Sequence, residues 1–131
     1  MKENFGKEYK LCSKLLIDEV FATGERLHLF PFQLIFLQKK NNSNVSFQIL
    51  ISVPKKKMRL SVDRNHVKRL IRESVRKNKV ILESFLTLNS IQLTICLVYI
   101  SNEKLSFSDM NMKICKLLTK LTENIQVQHE S

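Results

Sequence analysis

Pro54 to Lys79 reads PKKKMRLSVDRNHVKRLIRESVRKNK. It holds eleven Lys/Arg, at 55, 56, 57, 59, 64, 68, 69, 72, 76, 77 and 79, against Asp63 and Glu73 alone. Nine of the ten net positive charges thus fall in one fifth of the chain, and the other 105 residues are nearly neutral. Charge this localised implies a polyanionic partner. From about Val62 to Asn78 no Gly or Pro interrupts a helix; Ser61 is a candidate N-cap and Asp63 suits the positive end of the helix dipole. At about 100° per residue, Val67, Leu70, Ile71, Ser74 and Val75 gather on one side. Arg64, Asn65, Lys68, Arg69, Arg72 and Arg76 share an arc of roughly 140° on the other. One face packs on a core and the other is a cationic strip. A solvated helix face ordinarily mixes signs at i,i+4, whereas 64, 68, 72 and 76 stack like charges at a cost of a few tenths of a kcal/mol per pair. Neutralising phosphates would offset that cost.

Arg64-Asn65-His66-Val67-Lys68-Arg69-Leu70-Ile71-Arg72-Glu73 resembles the RNR helix (RNRxKRLxRE) of the bacterial ribonuclease P protein subunit. The approach to it, Ile51-Ser52-Val53-Pro54-Lys55-Lys56, resembles that family's hydrophobic-S-V-x-K-K segment from strand to loop. The likeness covers about residues 10–125 and is most specific over 51–76. His66 stands where the motif has its second Arg, so its charge is conditional, and on the helical wheel it lies near Glu73, away from the strip.

One domain spanning 1–131, with a core of about 10–125 and frayed ends, is expected from length and from 44% hydrophobic residues. Three Cys (12, 96, 115) show neither CxxC nor zinc-like spacing, which suggests reduced, mostly buried thiols in a cytoplasmic protein. The opening MKENFGKEYK lacks the apolar region of a signal peptide, and no apolar run approaches membrane-spanning length. No nucleophile-base-orienter set, HExxH, phosphate-cradling Gly loop or telling carboxylate pair is present, so catalytic residues in this chain are expected to be none.

Working outward, residues 1–12 are polar and expected to be loose. Ser13 is a candidate N-cap for a short helix carrying Leu15, Leu16, Val20 and Phe21 and closed by Gly24. Phe30–Gln38 and Val45–Val53 are strand-like, and the polar KKNNSN between them predicts a hairpin. Val80–Leu88 continues as helix or turn. Ile91–Ile100, nearly all apolar, predicts a central strand. Ser106 or Ser108 caps a last helix with Met110, Ile114, Leu117, Leu118, Leu121 and Ile125 on its core face, and the tail VQHES frays. The order is α-β-β-α-β-α: an α+β, two-layer α/β sandwich with a small mixed sheet and helices mainly on one face. The resemblance, and not general chain physics, implies a left-handed β-α-β crossover with the basic helix as the connection.

The resemblance also implies a role. The RNA subunit is the catalyst of this ribonucleoprotein endonuclease, uses Mg²⁺, and removes the 5′ leader of precursor tRNA. The protein holds no metal stably, and its expected partners are the ribonuclease P RNA and precursor tRNA, with neither DNA nor a membrane. Two surfaces follow. The RNA-binding set is Arg64, Asn65, Lys68, Arg69, Arg72 and Arg76 with Lys55, Lys56, Lys57 and Arg59. The leader cleft is drawn from Phe21, Ile17, Phe36, Ser52 and Tyr99; Ile17 and Phe21 are each at least as readily read as core, and core packing is the favoured reading for most of the strand Phe. The family more often has Phe where Ile17 stands and a more basic tail than KEYKLCSK, which implies a weaker grip at that end. Two rivals stand beside this reading: a generic, ribosomal-type RNA- or DNA-binding protein, and an amphipathic partner-binding helix that would work as an isolated peptide.

Overall fold

The apolar run Ile91–Ile100 supplies the strand on which the sheet is built. The computed structural model describes residues 6–39 and 45–130, with side chains through 125. After a single 3-10 turn (Lys7–Tyr9) come α1 (Lys14–Thr23), β1 (Glu25–Leu29), β2 (Phe32–Gln38) and β3 (Phe47–Ser52). The chain continues through α2 (Ser61–Leu88), β4 (Leu93–Tyr99) and α3 (Phe107–Glu130). The sheet order is β1-β2-β4-β3; β2 pairs antiparallel with β1 and β4, while β3 pairs parallel with β4. The fold is α+β, with α2 as the connection between two parallel neighbours.

β4 is apolar on both faces because both are covered. Leu93, Ile95, Leu97 and Tyr99 join Phe32, Leu34, Phe36, Phe47 and Ile49 beneath α2 and α3. Cys96 and Ile35 face the other way, under Val20 of α1 and Leu11. Each such side chain contributes about 1.5–3 kcal/mol by leaving water. Ser13 caps α1, its Oγ accepting from the Leu16 amide at 3.3 Å, and Ser106 accepts from the Asp109 amide at 3.2 Å. Gly24 is required where α1 meets the sheet: a Cβ there would lie 2.5 Å from the Val20 carbonyl and 2.9 Å from that of Phe36.

Several expectations are corrected. β2 and β3 form no hairpin, because β4 lies between them; of the expected KKNNSN turn, residues 40–44 lie outside those described. The Phe30–Gln38 run begins its strand at Phe32, after a turn at Phe30-Pro31, and an additional strand, β1, precedes it. Ser61 is the first residue of α2 and Leu60 occupies the cap position without a side-chain acceptor. α2 runs unbroken through Leu88, and α3 runs to Glu130, so most of the tail is helical in backbone. The N-terminal segment, from Gly6 where its description begins, is ordered: Tyr9 and Leu11 are buried, and the Leu11 amide donates to the Ile49 carbonyl at 3.1 Å.

Burial pushes the Cys96 thiol up to about 11, whereas Cys12 is exposed. At pH 8 a thiol reagent followed by mass spectrometry should label Cys12 in the native protein and Cys96 only after denaturant is added. Equally fast native labelling of both would show that β4 is not central.

Candidate nucleic-acid interface

The cationic strip is built by the periodicity of α2. Val67, Ile71, Ser74, Val75, Leu82 and Leu86 turn into the core, which leaves Asn65, Arg69 and Arg72 exposed and Lys68 half-buried on the outer side. Among the described residues, Lys68, Arg69 and Arg72 have no carboxylate partner. Three other cations of the basic stretch have internal work. Arg64 donates from Nη1 to the carbonyls of Met58 at 3.0 Å and Arg59 at 2.8 Å, tying the 54–60 loop to the helix while keeping its charge. Arg76 forms a two-armed bridge to Glu73, at 3.1 Å and 2.6 Å, and that hydrogen-bonded pairing holds the Glu73 carboxyl below its ordinary range. Lys79 is only 4% exposed.

The burial of Lys79 is compensated in place. Its ammonium donates to Glu83 Oε1 at 3.0 Å and to the Tyr9 hydroxyl at 3.3 Å, and lies 4.9 Å from the Tyr9 ring centroid. Tyr9 in turn donates to Glu83 Oε2 at 2.5 Å. Burial alone would lower the Lys79 pKa, but the bonds to Glu83 and Tyr9 outweigh it and raise it. The Tyr9 hydroxyl is raised by burial first and by Glu83 second. Lys77 Nζ lies 5.6 Å from the ring centroid of Phe107, on α3.

The buried Tyr9 fixes the segment on either side of it. Lys7 and Lys10 stand with Lys68 and Arg72 around a groove of about 510 Å³ floored by Ile49, Leu50 and Ile51. These two lysines were not among the expected binding residues. Their sequence signal is the alternation of Tyr9 and Leu11 with polar neighbours, which marks an anchored extended segment. Lys55, Lys56, Lys57 and Arg59 are all exposed on the loop before α2, where Arg64 holds the chain. His66 is exposed as well.

The five residues expected to line a second cleft do not share a surface. Phe36 and Tyr99 are buried beneath α2 and α3, where Tyr99 stacks edge-on against Phe32 at 5.5 Å and donates from its hydroxyl to the Glu103 carbonyl. Both are removed from the cleft: strand alternation points them away from α1. On the α1 face, Ile17 packs half-buried against Val20, Ile35 and Cys96, and Phe21 is 38% exposed. Ser52 lies level with Val98 and Gln33 on that same face, all three half-buried. Ile17, Phe21 and Ser52 therefore stay together as a candidate groove.

Among the described residues no three His, Cys, Asp or Glu side chains cluster in a way that could hold a metal ion. No helix is long and apolar enough to cross a membrane, again among the described residues. Lys7, Lys10, Lys68 and Arg72 around the apolar floor of β3 offer the chemistry of a binding surface.

The family model for Ribonuclease P matches residues 5–122. The chain is 31% identical over 119 residues to the ribonuclease P protein component of Porphyromonas gingivalis, covering 91% of this chain and 87% of that protein. It is 34% identical over 64 residues to the same component of Nitrosococcus oceani, there covering 49% of this chain and 51% of that protein. Its fold is similar to the RNase P proteins of Staphylococcus aureus (TM-score 0.66, 18% identity, 86% of this chain and 94% of that one) and Thermotoga maritima (TM-score 0.66, 22% identity, 85% and 96%). The chain belongs to the bacterial ribonuclease P protein component family.

Proposed function

We propose that this protein binds the ribonuclease P RNA through the α2 strip and the 54–60 loop, and the 5′ leader of precursor tRNA through the α1 face of the sheet. In this reading it assists the cytoplasmic, Mg²⁺-dependent removal of the leader that gives the mature tRNA 5′ end. The observation that carries it is the run of surface cations from Lys55 to Arg72, of which Lys68, Arg69 and Arg72 lack a carboxylate partner among the described residues. Guanidinium groups suit bidentate phosphate contacts, and Asn65 can bond a base edge or a 2′-OH. Lys7 and Lys10 extend the cationic surface toward β3. In this reading the Mg²⁺ is bound mainly by the RNA.

Reconstitution tests this. Adding the protein to a bacterial ribonuclease P RNA at low Mg²⁺ should stimulate cleavage of the leader; RNA binding without stimulation would leave only a generic RNA binder. With about six phosphates engaged, the affinity should fall with salt at a log–log slope of about −4 to −5.

The α1 face makes its own prediction. Phe21→Ala should weaken binding of precursor tRNA to the reconstituted enzyme by roughly 5- to 150-fold, the span of one stacked base, and leave mature tRNA nearly unchanged. Equal losses on the two would mean that Phe21 serves packing, not the leader.

A further inference from the structure

A further concave surface lies beside the 54–60 loop. It is a basin of about 610 Å³ whose lining includes Phe30, Lys56, Lys57, Arg59, Leu60 and Asp63. Its volume falls within the roughly 300–1,000 Å³ of sites that hold small ligands. Phe30, on the turn between β1 and β2, is 67% exposed, and Leu60, at the cap position of α2, is 65% exposed. Neither side chain is needed by the core. A single exposed apolar residue is ordinary, but two of them bordering a basin with three exposed cations form a specific chemical combination. The one carboxylate in the lining, Asp63, is already paired with Lys104 at 2.7 Å, so the basin presents net positive charge.

A flat aromatic face beside cations matches a ligand with a π-face and a phosphate on either side. A duplex keeps its bases stacked internally and offers no free face to Phe30, whereas an unpaired nucleotide does. We propose that this basin receives an unpaired nucleotide of RNA, its base stacked on the Phe30 ring and its phosphates held by Lys56, Lys57 and Arg59. The assignment rests on the RNA-binding reading above and adds to it a position, a ligand class and a residue, Phe30, that the cationic strip does not include. Arg64 acts there as a positioning residue, since its bonds to the Met58 and Arg59 carbonyls set the loop that forms one wall.

The chain contains no tryptophan, so F30W places a single indole in the basin of the full-length protein. Titration with a bacterial ribonuclease P RNA should quench its emission saturably. A single-stranded oligoribonucleotide should quench it too, and the same sequence in duplex form should not. F30A should weaken RNA binding by roughly 5- to 150-fold. Its log–log salt slope should stay that of the wild type, because no charge is removed. An indole left unquenched while RNA binds normally, or F30A binding as tightly as wild type, would overturn the basin and leave the strip standing. Failure of the wild-type chain to bind the RNA at all would instead remove the underlying reading, and the two failures are distinct. Exposure of residue 30 means neither variant disturbs the core, and an unchanged Cys96 labelling rate verifies that.

Discussion

Replacing Lys68, Arg69 and Arg72 together by alanine should weaken binding of ribonuclease P RNA by roughly two to three orders of magnitude near 0.1 M salt, and far less as salt approaches about 1 M. Every phosphate left without its cation keeps its counterions, worth about 0.7–0.9 in the log–log slope, so the slope should become shallower by about 2–3. The convergence at high salt is what separates this from misfolding, which would weaken binding at every salt concentration. Alanine is the strongest helix former, and all three side chains lie on the outer side of α2, so the helix should persist. Arg64 and Arg76 are poorer choices for the same test. Arg64→Ala would also release the 54–60 loop, and Arg76→Ala would free the Glu73 carboxylate beside the strip. A triple variant with wild-type affinity and slope at 0.1 M would show that the phosphates are held elsewhere.

The basic helix was legible because two independent signals agree on it, a 3.6-residue apolar period and a one-signed outer face. α3 was legible from its apolar period alone, and β4 from a nearly all-apolar run that demanded cover on both faces. The pairing of β2 with β3 was misread because closeness in sequence was allowed to set closeness in space. The correction was available in the chain itself. A central β4 needs a neighbour on each side, and once β2 and β3 flank it they cannot pair with each other. β1 was missed because Glu25–Leu29 is short and mostly exposed, and an edge strand needs only one buried position, here Leu27, to hold its register.

The candidate sites divide along a similar line. Periodicity told which residues of α2 face outward, because a helix fixes that from its own sequence. It could not tell which face of a sheet is open, since that depends on where α1, α2 and α3 come to rest. Phe36 and Ser52 therefore looked equivalent in sequence and sit on opposite faces in the structure. Nor could composition tell which cations are spent inside the molecule. Lys79 counts toward the basic stretch, yet it is withdrawn from the surface by Glu83 and by Tyr9, a residue seventy positions away.

That withdrawal carries a large expected effect on stability. Glu83→Ala should destabilise the fold by about 3 kcal/mol, because removing one member of a buried pair leaves the other charge uncompensated. Against a total of about 5–15 kcal/mol for a domain this size, the loss should be plain in denaturant unfolding. Three interactions go at once: the Lys79 bridge at 3.0 Å, the Tyr9 bond at 2.5 Å, and the orientation that holds Tyr9 against Phe47 at 5.3 Å between ring centroids. Lys79→Met combined with Glu83→Ala should be less damaging than Glu83→Ala alone, since no buried charge is then left without its partner. In the wild type the contribution of Lys79 should be constant through neutral and mildly alkaline pH. Its native pKa is raised, so its stabilisation is complete below the unfolded value of about 10.4 and is lost only as pH climbs through the native one. Tyr9, also raised, acts in the same direction above about 10. The functional consequence is on the surface: loosening Tyr9 frees Lys7 and Lys10 from their places beside Lys68 and Arg72, so Glu83→Ala should also weaken RNA binding although Glu83 itself carries the wrong charge to touch RNA. Tighter RNA binding on removing that negative charge would mean that Glu83 acts through simple electrostatics and that the Tyr9 anchor plays no part.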